Sequence, residues 1–582
     1  MEHDGSVTPR GRGLLILGSV LAVGAVVALA WWARAPRRPG GISIAVLPLE
    51  NRSPAPENAW LAAGIQDELI NLLGRVGPLR VTSRTAVQRY AGTAATPRIG
   101  RELGVSYLLS GGVKRDGDVL RIEVALLDAD DDRRVWESRF ERHAADVFAV
   151  ESEVAQSVAE ALQGGRLSPG ERNALLDPPT PNPAAYQAYL HARSFLERTV
   201  RTEGEIRDVI AAYEDAVRLD PKFAAAWAQL SRRQSSFYSL GYDRSDARRD
   251  AALQAVETAE RLAPELIDTK TARAYYLFVV KQDLEGAERA VHALEARNPS
   301  SPDIATGLAQ ITRELGRLDR SAEYARRAIQ LDPLNPYRQY QLCQDYLTSR
   351  EFVLAAQTCD GAHDLLPGDI GILTLQAAIR QARGELAASR ALLRGLAAEP
   401  GDTRALRILS RQLELDRDPR GASALLGKAL ASPDALATRI GIVRRWLADA
   451  QRLAGDADAA HASYEAARVE LEAELARQPA NPLFLGELAT VLARLGNRDA
   501  ANEWARRCAR FAQDSRRSGY IGDCGLARIQ VALAAEDSAG LPALLEEALK
   551  QRGSLPPLTV NLIRVDPDFD AHRALIRTLT PD

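Results

Sequence analysis

Residues 481–508 read NPLFLGELATVLARLGNRDAANEWARRC. Leu488, Ala489 and Leu492 recur at helical steps and face one way on a first helix. Gly496 and Asn497 make a turn, and Ala501, Ala505 and Cys508 line a second helix. Two antiparallel helices pack closely only where small side chains sit at their crossing, which accounts for the alanines. The scheme recurs upstream. Leu447, Ala448, Gly455, Ala460, Tyr464 and Ala467 repeat it, and Gly316 and Gly384 stand at matching turns. Leu331-Asp332-Pro333 closes one unit and Leu366-Pro367 another, their prolines 34 residues apart. From Gly455 to Gly496 the step is 41 residues, which predicts a second helix lengthened by about two turns. About ten helix pairs are expected over 183–551, with 552–582 as a C-terminal cap.

This pattern of large and small residues on the first helix, Gly at the turn, Ala on the second and Pro at the exit resembles the tetratricopeptide repeat. The resemblance implies a superhelix whose groove is lined by first helices and holds a protein or peptide. Asp303, Gln310, Arg313, Tyr337, Tyr340 and Gln344 fall at groove-facing positions, where they are either partner-binding groups or ordinary solvated helix surface. No dense basic set marks a carboxylate-clamping repeat.

Upstream, residues 42–165 change pattern. ISIAVLPLEN (42–51) reads as a buried strand and 57–75 as a helix through Leu61, Ile65, Leu69 and Leu72. LRVTS (79–83) is a second strand, and a helix over 97–104 ends at Gly104. Lys114-Arg115-Asp116-Gly117-Asp118 turns one hairpin, Asp130-Asp131-Asp132 a second, and DVFAVESEVAQSVAEAL closes the unit as a helix. The order predicts a small α/β sandwich. The runs IAVLPLEN, LAAGIQDELINLLGRVGPLRVTSRTAV and IGRELGVSYLLSGGVKRDGDVLRIEVALLDAD, with VWESRFER after them, are similar to the TolB-amino-terminal-like domain. Such domains precede tetratricopeptide repeats in bacterial membrane proteins and form the extracytoplasmic half of CadC-type activators. The resemblance therefore implies a place in signalling. It specifies a fold and not a task, and the Asp130–Asp132 tip reads as solvated loop, without the spaced ligands of a calcium site.

A short tail (1–12) leads into residues 13–32, GLLILGSVLAVGAVVALAWW, twenty residues without a charge, enough to span a bilayer. Residues 33–41 follow as a linker. The span reads as an uncleaved anchor, with Ala28-Leu29-Ala30 offering cleavage as the alternative. Gly18 and Ala22 stand at the spacing of closely packed membrane helices, so a homodimer is one reading. Arg10 and Arg12 before the span, against Arg34, Arg37 and Arg38 after it, lean towards a cytosolic bulk.

The four cysteines lean the other way. Cys343 and Cys359 lie 16 residues apart, as do Cys508 and Cys524, each pair symmetric about a turn. They are either disulfides, which need an oxidising compartment, or small buried residues replacing Ala. With disulfides, the chain is a single-pass protein of the bacterial inner membrane with its bulk in the periplasm.

A net charge of −3, from 74 basic and 77 acidic residues, argues against a nucleic-acid partner. No nucleotide, serine-hydrolase or zinc motif is present, and the seven histidines never pair at ligand spacing. No catalytic residue, cofactor or metal is therefore expected, and the chain is not expected to be an enzyme. The expectation is a membrane-anchored scaffold or sensor. The alternative is the regulatory half of a split signalling system, with a separate DNA-binding or cyclase effector, since only about a dozen residues precede the span.

Overall fold

The structure is a computed structural model. It describes residues 42–579 except 55–57, 78, 93–95, 166, 177, 195–201, 300, 516–517, 537–539 and 552–556. The expected span 13–32 and linker lie outside the described residues. Among the described residues no helix is long and apolar enough to cross a membrane.

The N-terminal domain is a mixed sheet of β1 (Ile42–Val46), β2 (Glu50–Asn51), β3 (Leu79–Val81), β4 (Tyr107–Asp116), β5 (Val119–Asp128) and β6 (Arg134–His143), in the order β3-β1-β4-β5-β6 with β2 also on β4. β1 runs parallel to β3 and β4, and the last three strands form an antiparallel meander. Side chains alternate across the strands. Ile44, Val46, Leu109 and Val113 therefore enter one core with the helices at Ala59–Gly74 and Val147–Gln163. Ala45, Leu47 and Leu108 enter the other with Ala86, Tyr90, Ile99 and Leu103. The short helix Arg84–Val87, continued by a 3-10 turn to Tyr90, is an addition to the expected order. Ser83 caps it, and its four residues are too few to carry a legible period. At the first hairpin Gly117 takes φ +59, which joins β4 to β5 through a two-residue turn.

A tetratricopeptide-like helical array follows. Among the described residues ten pairs run from Pro183–Ser194 with Glu203–Leu219 to Ser518–Ala534 with Leu541–Lys550. Gly316, Gly384, Gly455 and Gly496 all stand at positive φ between the helices of a pair, a backbone that glycine adopts without strain. The 41-residue step has its extra residues in Ala457–Arg477, 21 residues long where the second helices Leu318–Leu331 and Phe352–Leu365 have 14. Sheet domain and array share a core that passes from Ile65 and Leu69 through Tyr186, Tyr189 and Leu190 to Tyr213 and Phe237. Gly64 permits that contact, because a Cβ there would lie 3.3 Å from the Leu190 Cβ.

The array also returns on itself. Glu203 accepts hydrogen bonds from the Thr438 amide and hydroxyl (3.2 and 2.7 Å). Asn481 donates to the Gly241 carbonyl, and the Arg244 amide donates to Gln478. Residues about one superhelical turn apart, separated by 234–240 positions, are thus in contact.

Candidate functional site

First helices present side chains at three- and four-residue steps to the first helix of the next unit. On Pro302–Glu314 these are Asp303, Gln310 and Arg313. Each meets a residue of Pro336–Thr348: Arg338 donates to Asp303, Gln310 lies 3.4 Å from Gln341, and Arg313 donates to Asp345. Asp303 stays 84% exposed, while Arg313 and Asp345 are largely buried. Burial pushes the Asp345 carboxyl above its ordinary value, against the opposing pull of Arg313. Tyr340 is 3% exposed and its ring packs with Cys343 and Leu347. Its hydroxyl accepts from Arg404 (2.6 Å) and Gln344 (3.0 Å). Tyr337 is half-buried on the first turn of the same helix. The six residues therefore lie along two adjacent first helices, with Tyr340 in the core beneath them.

Cys343 is bonded to Cys359 and Cys508 to Cys524, with Cα–Cα distances of 5.4 and 5.5 Å. Each bridge ties the two helices of a pair at equal distances from its turn, or joins neighbouring helices across the 516–517 connection. No free cysteine remains, and among the described residues no group of His, Cys, Asp and Glu is placed to hold a metal ion.

A larger charged cluster lies further along the array. Arg445, on the first helix Ile440–Leu453, donates to both oxygens of Glu487 (2.6 and 3.1 Å) and to Asp449 (2.5 Å). Tyr464 donates to Asp449 (2.6 Å), and Arg494 lies 3.7 Å from it. Burial opposes the Asp449 charge, but Arg445, Arg494 and Arg452 hold its carboxyl well below the usual range. On Thr403–Leu415, Arg407 stacks over Trp446, 5.4 Å from the ring centroid, and Arg411 donates to Glu414 (3.1 Å).

Segment 558–579 runs over this cluster. The Leu558 carbonyl accepts from Arg350 (3.0 Å), the Thr559 hydroxyl donates to the Ala382 carbonyl, and Asn561 packs against Gly384. Asp566 accepts from Arg411, Asp570 from Arg417, and Asp568 from Arg452 with Arg494 at 3.7 Å. Leu558, Ile563, Phe569 and Ile576 meanwhile pack on Ile529, Leu533, Leu541 and Leu545 of the last pair. The segment thus meets the last repeat and also reaches back along the turns of earlier units. The sequence carries no dense basic set, and the arginines that hold these carboxylates are spread over several units. One or two come from each unit, and Arg411, Arg452 and Arg494 recur at steps of 41 and 42 residues, too far apart to form a visible run.

Residues 40–157 match the family model of the second domain of HilA/YgeH-like transcriptional regulators, well under half of the chain. The putative adenylate cyclase 3 of Rhizobium meliloti (strain 1021) is 33% identical over 198 residues, which are 34% of this chain and 33% of that protein. The chain thus spans about a third of the length of the curated relative it matches. Among solved structures, the human IFIT1 dimer with PPP-AAAA overlaps at a TM-score of 0.33 and 14% identity, covering 63% of this chain and 79% of that one. A tetratricopeptide repeat protein from Parabacteroides merdae overlaps at 0.32 and 11%, covering 46% and 99%. Scores of this size leave the helix pairing itself as the basis for the repeat assignment.

Proposed function

We propose that the chain is a membrane-anchored interaction scaffold or sensor that binds a protein partner along its first-helix groove and catalyses no reaction itself. The observation that carries the reading is the row of polar and charged side chains, from Asp303 to Arg494, built across successive first helices. Polar groups held in fixed positions by neighbouring helices recognise a peptide at little ordering cost. In this reading residues 13–32 anchor the chain in the bacterial inner membrane, and the two bridges fit a periplasmic bulk. The TolB-amino-terminal-like resemblance and its CadC-type context favour the same placement.

Two experiments test this. Alkaline phosphatase fused after Asp582 is active if the bulk is periplasmic, whereas a cytosol-only fluorescent reporter at the same position lights up if it is not. A photo-crosslinking residue at Gln310 or Gln344 yields a discrete protein adduct in cells, and one at exposed Val469 on a second helix does not. Equal adducts from both faces would remove the groove reading.

A second reading is the regulatory half of a split signalling system. It is favoured by the match of residues 40–157 to a regulator's second domain and by the similarity to a putative adenylate cyclase. It predicts that the adduct is a DNA-binding or nucleotide-cyclase protein.

A further inference from the structure

We infer that the surface formed by Arg411, Arg452 and Arg494 is a receptor for an acidic peptide, and that segment 558–573 is the occupant this chain itself supplies. The inference rests on the scaffold reading and names the chemistry of the partner. That partner is a segment with carboxylates at alternate positions around an aromatic ring, as in Val565-Asp566-Pro567-Asp568-Phe569-Asp570.

Charge is the first argument. In this cluster the array's own carboxylates Glu414, Asp449 and Glu487 face the guanidiniums of Arg407, Arg411, Arg445, Arg452 and Arg494, and Arg417 stands beside them at the segment. The cations outnumber these carboxylates, and Asp566 meets Arg411, Asp568 meets Arg452 and Arg494, and Asp570 meets Arg417 together with Arg573 of the segment itself. Without an anionic guest the surface is electropositive and selects for one.

The turns supply the second argument. Gly316, Gly384, Gly455 and Gly496 hold the left-handed turn position in their units, but two units between them use Arg350 (φ +66) and Arg417 (φ +62). A side chain is disfavoured in that conformation. Both arginines nevertheless reach the segment, Arg350 at the Leu558 carbonyl and Arg417 at Asp570. Gln282 and Glu536 take the same conformation at other turns, and at Arg350 and Arg417 the strained residue is also one that touches the guest.

The third argument is the division of contacts. The segment belongs to no helix pair, and its grip on the turns of the earlier units is made by carboxylates, the Thr559 hydroxyl and a backbone carbonyl. Its large apolar side chains face the last pair instead. Carboxylate–guanidinium contacts of this kind are reproduced by any competitor with the same spacing.

The test uses the full chain and a fluorescein-labelled peptide of residues 558–573, LTVNLIRVDPDFDAHR, read by anisotropy. The tethered segment acts at a local concentration on the order of millimolar, so the wild-type chain takes up the peptide poorly. The variant Asp566→Asn/Asp568→Asn/Asp570→Asn binds it at least about ten-fold more tightly than wild type, as release of the tether predicts. Adding Arg411→Ala and Arg452→Ala removes that gain, and a peptide with the three aspartates changed to Asn does not bind. Hydrogen exchange on the wild-type chain needs no variant to fold: excess peptide raises exchange in 558–579. The inference is overturned if the Asn variant exchanges freely in 558–579 yet binds the peptide no better, or if the segment stays protected in both experiments as a fixed cap. Persistent crosslinks from Gln310 alongside either of those results would sink this inference alone. Peptide binding without crosslinks would sink the scaffold reading alone.

Discussion

Glu151 lies on the apolar face of its helix, between Val147 and Val154, and is fully buried. One oxygen accepts from the Tyr186 hydroxyl (2.5 Å), and the other has no hydrogen-bond partner among the described residues. Burial pushes its carboxyl well above the ordinary value, and the nearby Glu68 raises it further. Glu68 is itself raised by burial, although Arg193 and Arg75 pull it down. Arg193 also binds Asp67 (2.6 Å), so acids and base are shared between the sheet domain and the first helix pair. A carboxyl raised in the folded state binds protons more tightly there than in the unfolded chain. Its stabilisation is complete below the unfolded value near 4.5 and falls as pH rises through the folded value. The domain junction is therefore weakest at alkaline pH. Glu151→Gln should stabilise the chain by about 1 kcal/mol or more at pH 8 and flatten the dependence. Urea midpoints at pH 5 and pH 8 measure both effects. This site is legible as a core position from the valine spacing alone, but its partners are not, since Tyr186 and Arg193 lie on another element.

Within a helix pair, the sequence carries nearly everything. Turn glycines, crossing alanines and the cysteines 343 and 359 are separated by fewer than twenty residues, so their geometry follows from helical pitch. A Cβ at Gly496 would meet nothing within 4 Å, so the position is held by conformation alone, at φ +84. Gly496→Ala should cost about 1 kcal/mol through that backbone, read as a lower urea midpoint without loss of helical circular dichroism. Each disulfide closes a loop of 16 residues, and removing one by Cys343→Ala/Cys359→Ala should cost roughly 3 kcal/mol. Mild reduction of the wild-type chain gives the same direction of change, and expression in a reducing compartment should yield the less stable form.

At the scale of the whole molecule local periodicity is silent. Nothing within a repeat says that residue 438 will meet residue 203, or that carboxylates past position 565 will meet arginines one unit apart. Those contacts depend on the accumulated twist of ten pairs, a sum of small rotations fixed by packing. The closure is made by few groups. Arg439 donates to the Leu240 carbonyl and lies 4.9 Å from the centroid of the Tyr242 ring, while Glu203 holds Thr438 and Asn481 holds Gly241. Hydrogen bonds of this kind contribute about 1 kcal/mol each, and somewhat more where a charged group is involved. That is small beside the cores that hold each pair, so these long-range contacts should open before any pair unfolds. Arg439→Ala with Thr438→Ala removes the Arg439 contacts and the Thr438 hydroxyl bond to Glu203, keeps the backbone amide bond at 438, and leaves the helices of every pair in place. The expected outcome is a larger radius of gyration by small-angle scattering and faster hydrogen exchange at 240–244 and 436–440. Helical circular dichroism should be unchanged. If the radius stays constant, the curvature is set by neighbour-to-neighbour packing alone, and the contacts across the turn only follow from it.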